Sequence, residues 1–300
     1  MAVFCMPSFI FRKGIIMIVV TGATGQLGRL VIQNLLGTVP AGHIVALARN
    51  PAKAADLAAL GVQVRQADYT QPATLDAALA GAQKLLLISS SEVGQRVAQH
   101  RAVIDAAVRA GVALVAYTSL LHVDSSPLGL AVEHQETEAM LKASGLPVVL
   151  LRNGWYTENY AASVPAALAH GAVIGSAGEG RIASAARADY AAAAAAVLTK
   201  NGQAGRVHEL AGDTAYTLAE FAAEIARQTG KAVVYKNLPE ADYAAALLGF
   251  GLPQPIAAML ADSDVAASKG GMFDGSHQLS ALIGRATTPL RDTVAAALKG

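Results

Sequence analysis

The stretch Ile18-Val19-Val20-Thr21-Gly22-Ala23-Thr24-Gly25-Gln26-Leu27-Gly28-Arg29-Leu30-Val31 constrains the fold more than any other part of the chain. A short β-branched run ends in glycines at 22, 25 and 28, and an apolar helical pattern starts at once. This reads as a strand, a tight turn and a helix start in immediate succession. Gly22 suits a turn conformation that side chains disfavour. Gly25 carries no side chain to hold a phosphate away from the backbone. Gly28 lets the helix lie close to the strand. Free N–H groups and the helix dipole at such a start favour an anion, and the ligand implied is the pyrophosphate of a dinucleotide. The spacing is G-x-x-G-x-x-G, and a ligand-free βα turn is the competing reading.

Strand and helix patterns alternate after this turn. Strands are expected at 17–21, 43–48, 62–66, 84–89, 112–118 and 147–152. Helices are expected at 26–36, 51–60, 74–79, 95–110 and 133–144. Alternation of this kind gives a parallel sheet covered on both faces, and right-handed crossovers make it doubly wound. Beyond Gly154 the rhythm changes. An alanine-rich helix is expected at 189–199 with Asp189 as its cap, and strands at 207–210 and 232–237 flank a helix at 218–229. Thr217 and Glu220 open that helix as a capping box. Further helices are expected at 240–249, 255–261 and 289–298. The division is an N-terminal extension (1–16), a nucleotide domain (17–152) and a smaller substrate lobe (153–300) over the carboxyl ends of the strands. The extension is apolar but broken by Pro7 and Arg12-Lys13, unlike a secretory signal. The alternative is that it forms an extra strand or an interface arm.

Three hundred residues at 53% hydrophobic and 15% charged can bury a large core, and a formal net charge of +1 with no basic block argues against nucleic acid as a partner. No apolar run is long enough to span a membrane. Cys5 is the only cysteine, so no intramolecular disulfide or thiolate cluster forms, and the seven histidines are scattered. A reducing, cytoplasmic setting fits, and no metal is expected.

Arg49 stands at the end of the second strand, twenty-seven residues after Gly22. Dinucleotide folds probe the adenosine ribose there. An acid accepts from a free 2′-hydroxyl, whereas an arginine pairs with a 2′-phosphate. With no acid before Asp56, Arg49 (helped by Lys53) predicts NADP over NAD. Asp68 is placed to receive the adenine amino group or to cap the turn towards Thr70. Ser89, Ser90 and Ser91 end the fourth strand beside the expected cofactor path. After the sixth strand, Asn153 is placed to hydrogen-bond a carboxamide, and Trp155, Tyr156 and Tyr160 to wall a flat ring. His134 is a candidate acid or a structural residue, and Arg187 and Asp189 either line the crevice or form a salt bridge at a helix start.

One absence narrows the chemistry. Many enzymes with this glycine turn use a Tyr-x-x-x-Lys pair to deliver a proton to a carbonyl. Ser119 follows Tyr117-Thr118 suitably, but the next helix has no tyrosine, and Lys142 is its only lysine. Hydride addition to a ketone makes a strongly basic alkoxide, whereas addition to a quinone makes a phenolate whose conjugate acid lies near 10, as for tyrosine. A quinone acceptor manages with water or a weak donor. Loss of catalysis explains the same absence.

The segments 21–28, Arg49-Asn50-Pro51-Ala52-Lys53, Leu86-Leu87-Ile88-Ser89-Ser90-Ser91 and 151–160 together resemble the NmrA-like atypical short-chain dehydrogenases, in particular their quinone-reducing bacterial members. The resemblance runs from Met17 almost to the end. It implies a Rossmann-type doubly wound parallel sheet with a smaller C-terminal α/β substrate lobe. It also implies NADPH-dependent reduction of quinones without a flavin. The cofactor residues it implies are Gly22, Ala23, Thr24, Gly25, Gln26, Leu27, Arg49, Ser89, Ser90, Ser91, Asn153, Gly154, Trp155, Tyr156, Thr157 and Glu158, and it transfers no catalytic acid. A redox sensor that binds NADP(H) without turnover, and a reductase or isomerase for another small carbonyl compound, are the alternatives. Monomer and homodimer both remain open.

Overall fold

A computed structural model describes residues 16–299. The extension expected at 1–16 lies outside the described residues, except for Ile16, which is exposed.

The chain runs β1 (Ile18–Val20), α1 (Gln26–Leu36), β2 (Ile44–Ala48), α2 (Ala55–Ala59), β3 (Gln63–Gln66), α3 (Pro72–Leu79), β4 (Lys84–Leu87), α4 (Arg96–Arg109), β5 (Leu114–Leu120), α5 (Ala131–Ala143) and β6 (Val148–Asn153). It continues through α6 (Thr157–Ala161), α7 (Val164–His170), β7 (Ala172–Gly175), α8 (Arg187–Thr199), β8 (Val207–Leu210), α9 (Leu218–Thr229), β9 (Val234–Asn237), α10 (Glu240–Gly249), α11 (Gln254–Ser268), α12 (Gln278–Ile283) and α13 (Leu290–Ala297).

Seven strands form one parallel sheet in the order β3-β2-β1-β4-β5-β6-β8, and β7 and β9 form a separate parallel pair. The strand order reverses between β1 and β4, which is where a doubly wound sheet opens its ligand crevice. Successive residues of the central strands enter opposite layers, as a period of two demands. Ile18 and Val20 pack with Val31, Ile32 and Leu35 of α1 on one face, and Val19 packs with Val103, Ile104 and Ala107 of α4 on the other. The alanines of α8 are mostly buried and lie in the same layer as α1, so a run that looked low in complexity is a close-packed helix face.

Segments after Asn153 contribute to two cores. Helix α8, strand β8 and Leu279 of α12 complete the sheet layer. Residues of α6, α7, β7, α9 and α11, with Trp155, Tyr216 and Val294, form a second apolar cluster. Thr217 and Glu220 make the reciprocal capping box at the start of α9. Asp189 is not the cap of its helix. Ala186 holds that position, and Asp189 is buried in the first turn, accepting from the Thr288 N–H at 2.8 Å and pairing with Arg285 at 2.7 Å.

Candidate active site

The glycine turn is built as tightly as its composition implies. Gly22 adopts a φ of +58°, and the Gly25 N–H donates to the Gly22 carbonyl at 2.9 Å. A Cβ on Gly28 would collide with the Gly22 carbonyl oxygen and stand 2.7 Å from the Ala23 Cα, so the first turn of α1 lies directly against the loop. Gly25 caps α1 with no side-chain bond, leaving the start of the helix to a ligand or to water. Thr21 anchors the turn to the sheet. Its backbone N–H donates to the Leu86 carbonyl at 3.0 Å, and its hydroxyl accepts from the Ile88 N–H at 2.9 Å. Ala23 and Leu27 are buried beneath the turn, whereas Gly22, Gly25 and Gln26 are exposed at its surface. The Arg29 guanidinium ties the turn to the next loop through the carbonyls of Thr24 at 3.2 Å and Lys53 at 2.7 Å, and pairs with Asp56.

Arg49 follows β2 with its side chain exposed, and its guanidinium meets the Glu92 carboxylate at 3.0 Å. The Ser89, Ser90 and Ser91 loop thus faces Arg49 across the crevice through the residue that follows it. The backbone of this loop is held firmly. The Ser89 N–H donates to the Thr118 hydroxyl at 2.8 Å, the Ser90 N–H to His100 Nε2 at 3.0 Å, and the Ser90 carbonyl accepts from Arg96 at 2.8 Å. Asp68 caps its own turn, its carboxylate accepting from the Thr70 N–H and hydroxyl at 2.9 and 2.8 Å. These bonds lower its pKa.

The segment after β6 closes the far end. The Gly154 N–H donates to the Leu210 carbonyl at 2.7 Å, and a Cβ there would approach that oxygen and the Tyr190 hydroxyl at 3.1 Å. Asn153 is buried, and its side-chain oxygen has no hydrogen-bond partner. The Trp155 indole N–H is in the same position. Thr157 and Glu158 are taken up by the protein itself. The Thr157 hydroxyl bonds the Ser184 hydroxyl at 2.8 Å, and both Glu158 carboxylate oxygens accept the Arg187 N–H, at 2.9 and 3.0 Å. Glu158 thereby supplies the negative charge that a helix start favours.

Arg187 spans the crevice. Its guanidinium lies over the Tyr156 ring, 4.6 Å from the centroid, and contacts Gln26 at the start of α1. Its other terminal nitrogen donates to the Asn159 side-chain oxygen at 3.4 Å. Sequence reasoning left Arg187 between crevice and salt bridge, and it gave Glu92, which closes the Ser-Ser-Ser-Glu segment, no role of its own. An acid directly after three serines, opposite an arginine-tipped strand, was the available signal.

Tyr117 and His134 are buried together beneath this edge, with hydroxyl and Nδ1 2.7 Å apart. Burial, with Arg96 nearby, lowers the His134 pKa to about 3 and keeps the ring neutral. His134 is therefore a structural residue of the layer under β5. Ser119 hydrogen-bonds Glu138, which also takes Arg152 at 2.7 Å. That ion network, completed by Glu209 and Asp124, props the end of β6 from below.

Residues 16–292 match the NmrA-like family. The chain belongs to the NmrA-like family. Within it, the chain is 65% identical over 278 residues to the quinone oxidoreductase 2 of Escherichia coli K12, covering 93% of this chain and 97% of that one. This NmrA-like fold superposes on the E. coli NADPH-dependent quinone oxidoreductase complexed with NADPH with a TM-score of 0.92. That match has 64% identity and covers 94% of this chain and all of that one. The Citrobacter triphenylmethane reductase complexed with NADP(H) matches at a TM-score of 0.90 with 39% identity, over 93% of this chain and 99% of the other. The fold is thus the Rossmann-type α/β sheet expected. Among the described residues of this NmrA-like chain no helix is long and apolar enough to cross a membrane.

Proposed function

We propose that this NmrA-like protein is an NADPH-dependent quinone reductase that works without a flavin. The observation that carries the reading is a continuous edge in which each part suits one portion of NADPH. The side-chain-free start of α1 suits the pyrophosphate, the exposed Arg49 guanidinium suits a 2′-phosphate, and the unpartnered Asn153 oxygen suits the N–H of a carboxamide. The 65% identity to an E. coli quinone oxidoreductase supports it independently.

In this reading the backbone of Gly22, Ala23, Thr24, Gly25, Gln26 and Leu27 holds the pyrophosphate. Ser89, Ser90 and Ser91 flank the ribose path, and the segment Asn153–Glu158 receives the nicotinamide end. Thr157 and Glu158 act there by fixing the backbone rather than by direct contact. Bound NADPH supplies the hydride. The residues of this chain hold donor and acceptor in register and keep water out, and proximity is the main catalytic device. No strong acid is required, because the hydroquinone anion is far less basic than an alkoxide. Arg187, stacked on Tyr156, neutralises charge at the crevice mouth. The lobe 153–300 supplies the acceptor side. We further read the protein as cytoplasmic, a monomer or homodimer, with a small quinone as its partner.

Steady-state NADPH oxidation with a panel of simple quinones tests the proposal. Turnover that requires the quinone and no added flavin supports it. Tight NADPH binding with no turnover on any quinone overturns it in favour of a redox sensor.

A further inference from the structure

The second core encloses a cavity of about 350 Å³, within the range of small-molecule sites. Much of its wall is apolar, with Ala167 of α7, Val173 of β7, Leu247 of α10 and Leu260 of α11. Residues 155–160 stand between it and the expected nicotinamide position, so its occupant is not the hydride acceptor. Asn159 lines the cavity, and Arg187 holds its side-chain oxygen from the crevice side. Aromatic rings frame the space. Trp155, Tyr160 and Tyr243 are buried in its wall. His170 and Phe250, both exposed, stand at its solvent side with ring centroids 5.9 Å apart.

The polar groups of the lining are unequally placed. Asp264, 2% exposed, closes the inner end, and its oxygens already accept the Tyr160 hydroxyl at 2.9 Å and the Ser176 N–H at 2.8 Å. The Ser163 hydroxyl is also used, donating to the Tyr160 carbonyl at 2.7 Å. Two donors are left over. Lys236 of β9 is exposed at the outer end, and among the described residues no carboxylate lies within ion-pair distance of its ammonium group. The Tyr243 hydroxyl has no hydrogen-bond partner among the described residues, and burial raises its pKa, so it remains a donor. Buried polar groups are almost always paired, so an aromatic-walled space with spare donors calls for an acceptor that the protein does not provide.

We propose that this cavity is a binding site for an aromatic monocarboxylate, separate from the coenzyme crevice: the ring lies among the aromatic walls and the carboxylate pairs with Lys236 at the opening. Offset and edge-to-face contacts with the framing rings hold a flat apolar body. A charge-assisted bond to an ammonium group is stronger than a neutral one, which favours the carboxylate over an alcohol or amide. The Asp264 carboxylate repels an anion from the inner end and so orients the head outwards. A sugar-like ligand would leave its hydroxyls unpaired against the apolar wall. The site goes beyond the quinone-reductase reading and does not depend on it.

Calorimetry of the full chain titrated with 2-naphthoate, with and without saturating NADP+, tests the site. One-to-one binding is expected in both cases, and the uncharged 2-naphthylmethanol should bind about tenfold more weakly. Lys236→Met, at an exposed position where replacement spares the fold, should weaken naphthoate about tenfold and leave the alcohol within about twofold. Tyr243→Phe should weaken naphthoate about three- to tenfold, the loss of one hydrogen bond. A wild type that binds no naphthoate, or a Lys236→Met variant of unchanged naphthoate affinity, overturns the site. Naphthoate that is displaced by NADP+, or that competes with the quinone in steady-state assays, also overturns it, because the anion then sits in the crevice.

Discussion

The Arg49 guanidinium and the Glu92 carboxylate meet 3.0 Å apart across the mouth of the nucleotide crevice. Both side chains are largely solvated, so the pair itself contributes little to stability. Its weight is in selectivity, since a 2′-phosphate must share or replace Glu92 as the partner of Arg49. Arg49→Glu should raise KM for NADPH by about tenfold or more while sparing NADH, an effect of one charge-assisted pair. Glu92→Gln should move NADPH the other way and leave NADH unaffected. KM values for both coenzymes unchanged from wild type in both variants would show that Arg49 does not read the phosphate.

Asn153 offers a cleaner test of the nicotinamide end. Its oxygen bonds nothing within the protein, so truncation leaves no protein donor behind. Asn153→Ala is expected to weaken coenzyme binding by about 1 kcal/mol, or five- to tenfold, by calorimetry. Its melting temperature should stay close to wild type. A large loss of stability with unchanged affinity would make Asn153 a packing residue.

Gly28→Ala should act on the whole edge at once. The added methyl has no room between α1 and the Gly22 carbonyl, so the helix start must move away from the turn. The expected cost is about 1–3 kcal/mol of stability, as for overpacking elsewhere. The rise in melting temperature on adding NADPH should disappear as well.

The dependence of stability on pH carries two opposing contributions. Burial raises the Asp264 pKa to about 6, so the fold binds a proton that the unfolded chain releases above about 4. Stability from this group is present below pH 4 and lost as pH rises through 6, by about 3 kcal/mol. The buried His100 and His134, each lowered to about 3 by burial, work in the other direction. Their stability is present above pH 6.5 and lost as pH falls towards 3. Urea melts of wild type and Asp264→Asn at pH 4 and 7 should show the aspartate loss only in wild type. His134→Gln should flatten the acid limb. Parallel curves for all three proteins would show that these groups titrate alike in both states.

The regular part of the fold was legible because its signals are local. Helix α1 occupies its expected span because glycine at both ends punctuates an apolar period between them. The capping box of α9 was readable from Thr217 and Glu220 alone. Short elements escaped. Helices α6 and α7 and strand β7 crowd into the stretch 157–175, where aromatic and small residues serve cavity and crevice walls and follow no period. Asp189 looked like a cap because caps are often acidic. Its true partners, Thr288 and Arg285, lie about a hundred residues away, and no local pattern reports them. The roles of Glu92, Arg187 and Asp264 likewise depend on contacts distant in sequence.

The path of the backbone between the two cores limits how the molecule can move. After Asn153 it leaves the sheet layer at Trp155, returns by Ala185, departs again after Leu210 and comes back at Leu279. Stitched together in this way, the parts have no single hinge about which to swing like jaws. A protease cut in any one loop would not liberate the smaller part as a freestanding fragment.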